Sequence, residues 1–102
     1  MSGCEVDVLR GEDGWIVVVS GEVDVSCAPE LRARLLEVVG RPDVGDHVVV
    51  DLRDVSFLDS TGLGVLVGAS RRLKMTVIPS AAAYRPIRMA GLDQLWTVVD
   101  PP

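Results

Sequence analysis

The sequence is poor in aromatic residues, cysteines and long apolar runs, and each scarcity excludes a class of protein. Two tryptophans, one tyrosine and one phenylalanine in 102 residues predict a core built mainly from valine and leucine. Cys4 and Cys27 provide neither a disulfide framework nor the spacing of a metal site. No apolar run reaches the roughly 18 residues of a membrane span, and the N-terminus lacks a basic, apolar signal segment. These absences predict a soluble protein of the reducing cytoplasm.

Positive charge is also scarce. Ten Lys and Arg residues stand against fifteen Asp and Glu residues, so the net charge is −5. An acidic protein is repelled by a nucleic-acid backbone and by an anionic membrane surface, and neither is expected as a partner. A hydrophobic content of 48% is ordinary for a globular protein. Residues 1–102 are therefore predicted to form a single domain with one core.

The apolar pattern predicts a layered α/β domain with the element order β-β-α-β-α-β-α-β. A hairpin across residues 11–14 joins the first two strands, which makes the four- or five-stranded sheet mixed. The continuous apolar run at residues 15–20 favours a central strand, buried on both faces. Residues 21–24 are predicted to form a loop. The strands are predicted at residues 5–10, 15–20, 48–52, 76–78 and 95–99.

Three helices are predicted between the strands. The first starts near Cys27, ends at Gly40 and buries one apolar stripe. The second runs from about Thr61 to Lys74, with basic residues in its last turn. The third is predicted to begin only near Tyr84 or Arg85, because a proline such as Pro86 is tolerated best in a first turn. The predicted buried stripes are Ala28, Leu31, Leu35, Val38 and Val39 in the first helix, and Leu63, Leu66, Val67 and Leu73 in the second.

The segment from Asp59 to Gly68 (DSTGLGVLVG) is the most informative part of the chain. Asp59 and Ser60 stand where the second helix begins, and an exposed hydroxyl at a helix N-terminus is a suitable carrier for a phosphate. Gly62, Gly64 and Gly68 each cost roughly 1 kcal/mol relative to alanine in a helix interior. Close approach of a partner to the hydroxyl would explain Gly62 and Gly64, and packing on the sheet would explain Gly68 and is an alternative explanation for Gly64.

Enzymatic readings of this segment fit poorly. The glycine spacing is one residue off the dinucleotide-binding pattern, and no acid follows at about 20 residues to hold a ribose. Ser60 does not lie in a G-x-S-x-G motif, and His47 is expected in a solvated loop at the opposite end of the preceding strand. Scattered carboxylates without His or Cys partners make poor metal ligands. The sequence therefore predicts no catalytic residues, no metal site and no cofactor.

Two motifs make the sequence resemble a known family. Residues 21–24 (GEVD) match a G-E-x-D pattern, and residues 59–66 (DSTGLGVL) follow about 35 residues later. With residues 49–52 (VVDL) and 90–92 (AGL), they resemble the bacterial anti-sigma factor antagonists, which are single STAS domains. The resemblance covers residues 15 to about 99. Cys27 departs from it, standing where the family usually has a threonine or serine that caps the first helix.

The resemblance implies a STAS-like fold and a binding function that is not enzymatic. Such antagonists bind an anti-sigma factor that is also a serine kinase, and so release a sigma factor. The kinase supplies ATP and Mg and phosphorylates the serine of D-S-T-G, here Ser60, which separates the complex, and a phosphatase restores binding. Ser60 is predicted to be modified in preference to Thr61, whose β-branched side chain is placed inside the first turn. The implied partner-binding residues are Asp24, Asp59, Ser60, Thr61, Gly62 and Gly64.

Two other functions are compatible with the same residues. The chain could be a STAS scaffold subunit of a signalling or transport assembly that phosphate never switches. It could also be a small-ligand or nucleotide-binding STAS module. Intact-mass measurement after incubation with candidate kinases tests the first alternative, and calorimetric titration with nucleotides tests the second.

Overall fold

Five strands form one sheet in which the spatial order β1-β2-β3-β4-β5 equals the order along the chain. The computed structural model describes residues 3–12, 14–41 and 47–99. The predicted element order is confirmed, with one additional 3-10 turn before the last strand. The elements are β1 (Cys4–Gly11), β2 (Gly14–Val23), α1 (Ala28–Val39), β3 (His47–Leu58), α2 (Ser60–Ser70), β4 (Lys74–Pro79), α3 (Ala81–Met89), the 3-10 turn Leu92–Gln94 and β5 (Thr97–Val98).

The sheet is mixed, as predicted. Strands β1 and β2 form an antiparallel hairpin, whereas β2, β3, β4 and β5 run parallel to one another. Asp13, in the predicted hairpin turn, lies outside the described residues, as does the predicted polar loop at 43–46. Strand β2 is an inner strand, but β3 occupies the centre. In β2, Val17 and Val19 are fully buried while Ile16 and Val18 are only partly buried, so the expectation of full burial on both faces is wrong.

The predicted ends of β2 and β3 are wrong, and β5 (Thr97–Val98) is shorter than the predicted strand at 95–99. Residues 21–23 are not a loop but the end of β2, where Gly21 pairs with both Cys4 and Val55. A side chain at Gly21 would overlap the carbonyl oxygen of Gly3, and the residue has a φ of +90°, so glycine is required by close backbone approach. Strand β3 extends to Leu58, six residues beyond the predicted end, because its second half pairs with this continuation of β2.

Helix α1 buries the predicted residues Ala28, Leu31, Leu35 and Val38, with Val39 partly buried against them. It contacts α2 and the first two strands. Its N-cap is Cys27, which makes no side-chain capping hydrogen bond. The helix ends before Gly40, as predicted from that glycine.

Helix α2 is shorter than predicted. It ends at Ser70, Arg71 is its C-cap, and Lys74 is already the first residue of β4. The buried helical residues are Gly62, Val65, Leu66 and Ala69, while Leu63 and Val67 are only partly buried. Leu73 is buried, as expected, but it lies in the connection between α2 and β4 and not in the helix. Its N–H donates a hydrogen bond to the carbonyl of Ala69.

Helix α3 starts earlier than predicted and contains Pro86 in its interior. Its N-cap is Ser80, whose hydroxyl oxygen accepts a hydrogen bond from the N–H of Ala83 at 3.0 Å. The same hydroxyl donates to the carbonyl of Val55 at 2.6 Å and so ties the helix to β3. This cap fixes the helix start five residues ahead of Pro86, which removes one backbone donor without ending the helix.

The expectation that Cys4 and Cys27 provide no disulfide framework is also wrong. Cys4, at the start of β1, and Cys27, at the start of α1, form a disulfide with their Cα atoms 5.9 Å apart. The pairing depends on the fold, because 23 positions separate the two residues along the chain. Within the part of the chain that the structure describes, no helix is long and apolar enough to cross a membrane.

Candidate functional site

The carboxyl ends of β2 and β3 place the two sequence motifs side by side. Val23 pairs with Leu58 at these ends, and the N–H of Asp59 donates to the carbonyl of Val23 at 3.3 Å. The backbone thereby joins the G-E-x-D segment to the start of α2. Ser60, the first residue of that helix, is exposed. In open α/β sheets, ligands bind outside the carboxyl ends of the strands, and the two motifs lie at this edge.

Asp59 caps α2 and is only partly buried. Its extended backbone lets its carboxylate accept a hydrogen bond from the N–H of Gly62 at 3.0 Å. The first N–H groups of a helix have no intrahelical acceptor, and the Asp59 side chain satisfies only that of Gly62. The N-terminus of α2 therefore keeps part of its positive potential next to the Ser60 hydroxyl.

Asp24 shapes the turn between β2 and α1. Its carboxylate accepts two hydrogen bonds from Ser26, from the backbone N–H at 3.0 Å and from the hydroxyl at 2.6 Å. Its carbonyl accepts from the N–H groups of Cys27 and Ala28, both at 3.1 Å. The side-chain hydrogen bond from Ser26 lowers the pKa of the Asp24 carboxyl below its ordinary value and so favours the ionised form. The negative charge of Asp24 is thus held next to Val23, whose carbonyl accepts a hydrogen bond from Asp59.

The three glycines of α2 have different environments. A Cβ on Gly62 would lie 2.7 Å from Cγ1 of Val23 and 2.8 Å from Cδ1 of Leu58, so this buried glycine lets the helix pack on the strand ends. A Cβ on Gly64 or Gly68 would meet nothing within 4 Å. The packing explanation is therefore wrong for both Gly68 and Gly64, and packing requires glycine at Gly62 instead. A contact of Gly62 with a partner stays a prediction.

Gly64 and Gly68 leave one side of α2 bare beside α1. Both line a groove of about 270 Å³ between the two helices, together with Leu36 and Val39 of α1. The groove carries Arg32 and Arg72 and has no counterpart in the sequence predictions. A surface without side chains on one wall allows another chain to approach the helix backbone closely.

Two exposed apolar residues next to the site were missed by the sequence analysis. Val25, beside Asp24, is 70% exposed, and Phe57, two residues before Asp59, is 49% exposed. Met89 of α3, 78% exposed, lines the same shallow cavity as Phe57. A valine placed between Asp24 and Ser26, directly after the G-E-x-D motif, was the available signal for Val25. Exposed apolar side chains beside polar groups are typical of protein-binding surfaces.

Other residues singled out in the sequence lie elsewhere. His47 is exposed at the start of β3, the end opposite to Leu58, and its Nε2 lies 2.9 Å from the Thr76 hydroxyl. It is therefore not near Ser60, although it belongs to a strand and not to a loop. Among the described residues, no group of three His, Cys, Asp or Glu side chains could hold a metal ion. Thr61 is exposed like Ser60, so burial does not distinguish the two hydroxyls.

Comparison with known proteins agrees with this architecture. A family model described as "Mlab, STAS domain" matches residues 8–99. The chain is 42% identical over 98 residues to the anti-sigma-B factor antagonist of Bacillus subtilis (strain 168), covering 93% of this chain and 87% of that protein. It is 30% identical over 91 residues to the anti-sigma F factor antagonist of Paenibacillus polymyxa, covering 83% of this chain and 77% of that protein.

Solved structures show the same fold. The crystal structure of an anti-sigma factor antagonist from Mycobacterium paratuberculosis superposes with a TM-score of 0.85 at 32% identity, covering 93% of this chain and 84% of that one. The phosphorylated form of the Bacillus protein SpoIIAA superposes with a TM-score of 0.69 at 17% identity, covering 94% of this chain and 92% of that one, and shares the fold alone. Anti-sigma factor antagonists of this fold are regulatory binding proteins and not enzymes. The chain belongs to the STAS-domain family of anti-sigma factor antagonists.

Proposed function

We propose that this protein binds an anti-sigma factor through the surface around Ser60 and releases it when Ser60 is phosphorylated. The observation that supports the proposal most strongly is the position of Ser60. It is an exposed hydroxyl at the first residue of α2, with the carboxylate cap of Asp59 before it and the bare backbone of Gly64 one turn later. Relatives named for antagonism of anti-sigma factors support the choice of partner class.

The charges at this surface favour a switch that leaves the fold intact. A phosphoserine carries about −1.5 to −2 charges at neutral pH. At the first residue of a helix this charge is tolerated by the unsatisfied N–H groups and the helix dipole. Inside an interface it would add to the negative charges of Asp24 and Asp59 and would be removed from water. Both effects weaken the complex without a comparable effect on folding.

The proposed reaction partners supply the chemistry. The anti-sigma factor acts as a serine kinase with its own ATP and Mg, and a phosphatase removes the phosphate from Ser60. The antagonist needs no cofactor and works in the cytoplasm, where sigma factors act. The exposed Val25 and Phe57 contribute apolar contact area beside the polar groups.

The test uses the purified anti-sigma factor kinases encoded in the same genome. Wild-type protein incubated with the cognate kinase and Mg-ATP is expected to gain one phosphate on Ser60, located by peptide mass spectrometry. Ser60→Ala should gain none and should bind the kinase persistently. Ser56→Ala, which removes another exposed hydroxyl that is not among the implied partner-binding residues, serves as the matched control and is phosphorylated normally. Ser60→Asp should fold equally well and bind more weakly, although one carboxylate charge mimics the phosphate only in part.

Three outcomes would contradict the proposal in different ways. Phosphate appearing on Ser60→Ala would show that another hydroxyl is the target. Equal affinity of the phosphorylated and unphosphorylated forms for the kinase would remove the switch. Tight binding to an anti-sigma factor without any phosphorylation would identify a non-switching STAS subunit.

A further inference from the structure

The Cys4–Cys27 disulfide closes a small ring of backbone that contains the G-E-x-D segment. Cys4 pairs with Gly21 in the β1–β2 hairpin, and the chain then runs through Asp24 and turns back to Cys27. The disulfide joins the two ends of this path. It therefore links the first residue of the edge strand to the last residue before α1.

Backbone hydrogen bonds also stabilise this ring. The N–H of Glu22 donates to the carbonyl of Gly3 at 2.9 Å, and the absent side chain of Gly21 allows Gly3 to lie directly against it. On the far side of the turn, the N–H of Cys27 donates to the carbonyl of Asp24 at 3.1 Å. The position of Asp24 is thus fixed through Gly3 and Cys4 on one side and through Cys27 on the other.

This ring contacts the start of α2. The carbonyl of Val23, which is part of the ring, accepts a hydrogen bond from the N–H of Asp59, and the side chain of Val23 lies against Gly62. A change in the turn at residues 24–27 therefore reaches the residues before and after Ser60. Cys27 itself is fully buried and caps α1 without a side-chain hydrogen bond, so its sulfur contributes the covalent bond and not a helix cap.

We propose that the Cys4–Cys27 disulfide is a redox-controlled clasp on the partner-binding surface. The closed bond holds the turn at residues 24–27 in the arrangement that the partner recognises, and reduction by a dithiol releases the turn together with the first residues of β1. The effect on partner binding rests on the function proposed above, whereas the effect on the turn does not. The clasp gives the protein a second input, separate from phosphorylation of Ser60.

The reduction balances with a dithiol as the reductant. A thiolate of the reductant attacks the sulfur of Cys4 and forms a mixed disulfide with it. Cys4 lies at the start of the edge strand and is 7% exposed as a residue, whereas Cys27 is 0% exposed. Cys27 leaves as a thiolate, which the N-terminus of α1 stabilises before it takes up a proton. The second thiol of the reductant then attacks its own sulfur in the mixed disulfide and releases Cys4. Two electrons and two protons pass to the protein, and the dithiol becomes a disulfide.

The first experiment tests whether dithiothreitol, as the dithiol, reduces the Cys4–Cys27 disulfide in the folded protein. Protein incubated natively with or without dithiothreitol is quenched in acid, denatured and alkylated with N-ethylmaleimide, and its intact mass is recorded. No adduct is expected without the reductant and two adducts are expected after it. Two adducts without prior reduction would show that the bond does not form. A bond that opens only in denaturant would make it a static cross-link and would overturn the clasp.

The second experiment measures hydrogen exchange at the backbone of residues 21–28 and of Asp59 in both redox states. Exchange of these amides should accelerate by about tenfold or more after reduction, because local opening governs their protection. The amide of Tyr84, which bonds to Ser80 in the separate helix α3, is the internal control and should change little. Unchanged exchange around residues 21–28 despite complete reduction would overturn the proposal.

The third experiment compares binding to the kinase identified by the Ser60 assay. Oxidised protein should bind several-fold more tightly than reduced protein, and the double variant Cys4→Ser with Cys27→Ser should lose all dependence on dithiothreitol. Serine differs from cysteine only by oxygen in place of sulfur and is close to it in size, so the double variant is expected to fold. Redox dependence that persists in the double variant, or equal affinity of the oxidised and reduced forms, would overturn the clasp. If neither redox state binds any anti-sigma factor while the exchange difference is present, the proposed function fails and the clasp on the turn stands.

Discussion

Substitution of Gly62 by alanine tests how α2 is seated on the strand ends. The added Cβ would lie 2.7 Å from Cγ1 of Val23, 2.8 Å from Cδ1 of Leu58 and 3.3 Å from the carbonyl oxygen of Val23. Leu58 can move the end of its flexible side chain. Val23 cannot move easily, because it is β-branched and completely buried. The contact with Val23 therefore decides the cost.

The expected effect is the balance of two opposing contributions. Alanine in place of glycine stabilises a helix interior by about 1 kcal/mol. Overpacking a core typically costs about 1–3 kcal/mol, and the Cβ contacts place Gly62→Ala toward the upper part of that range. We expect the free energy of unfolding to fall by about 1–2 kcal/mol, which lowers Tm by about 4–8 °C for each kcal/mol in a domain of this size.

Gly64→Ala and Gly68→Ala are the matched controls, because their added Cβ atoms meet nothing within 4 Å. Each should raise the stability by up to about 1 kcal/mol. The assay is urea unfolding followed by tryptophan fluorescence, with the disulfide kept oxidised and the m-value compared among variants. A Gly62→Ala protein as stable as Gly64→Ala would refute the packing inferred for α2. Gly64→Ala should nevertheless weaken partner binding if a partner approaches the bare helix backbone.

Three further predictions concern the core, the turn and the pH dependence. Leu66→Ala should cost about 2–5 kcal/mol in urea melts, because Leu66 is fully buried, and a loss under about 1 kcal/mol would contradict its place in the core. Asp24→Ala should leave Tm nearly unchanged but weaken binding to the anti-sigma factor, and calorimetry that finds a large loss of Tm with normal binding would assign Asp24 a purely structural role. Hydrogen bonds from Arg53 lower the folded-state pKa of Asp51, so this pair stabilises the fold above the unfolded pKa of the carboxyl and the contribution is lost as pH falls through the folded pKa. Arg53→Ala should therefore flatten the acid limb of a stability–pH curve measured by urea unfolding, and an unchanged acid limb would show that the pair contributes nothing.

The sequence predicted the element order because each buried strand is a short apolar run bounded by turn residues. The apolar stripe that begins at Ala28 and the glycine at position 40 also placed both ends of α1. The start of α2 followed from the capping residue Asp59. In each case the deciding interaction lies within a few residues of the chain.

The errors arose where distant contacts decide the local structure. Gly21 and Glu22 have the composition of a loop, yet they continue β2 because they pair with Cys4 and Phe57. Pro86 suggested a late start for α3, but the cap of Ser80 and its bond to Val55 set the start. The disulfide required knowledge that the edge strand and the start of α1 meet in space.

The exposed polar residues and the glycines of the candidate site were only partly predictable from the sequence. Sequence motifs located Asp24, Asp59 and Ser60, and the structure brings their segments together through one backbone hydrogen bond. The same motifs could not separate Gly62, which is required by packing, from Gly64, which faces open space. That distinction depends on where Val23 lies relative to α2.

The sequential strand order has a consequence for synthesis on the ribosome. Each strand pairs with the strand made immediately before it, so no strand waits for a partner that is synthesised later. The β1–β2 hairpin and the following α1–β3 unit can therefore assemble while the remainder of the chain is still being made. The N–H of Asp59 reaches the carbonyl of Val23 only after β3 is complete, and α2 must emerge next. A nascent chain shorter than this would hold most of its sheet but would not yet present Ser60 to a kinase.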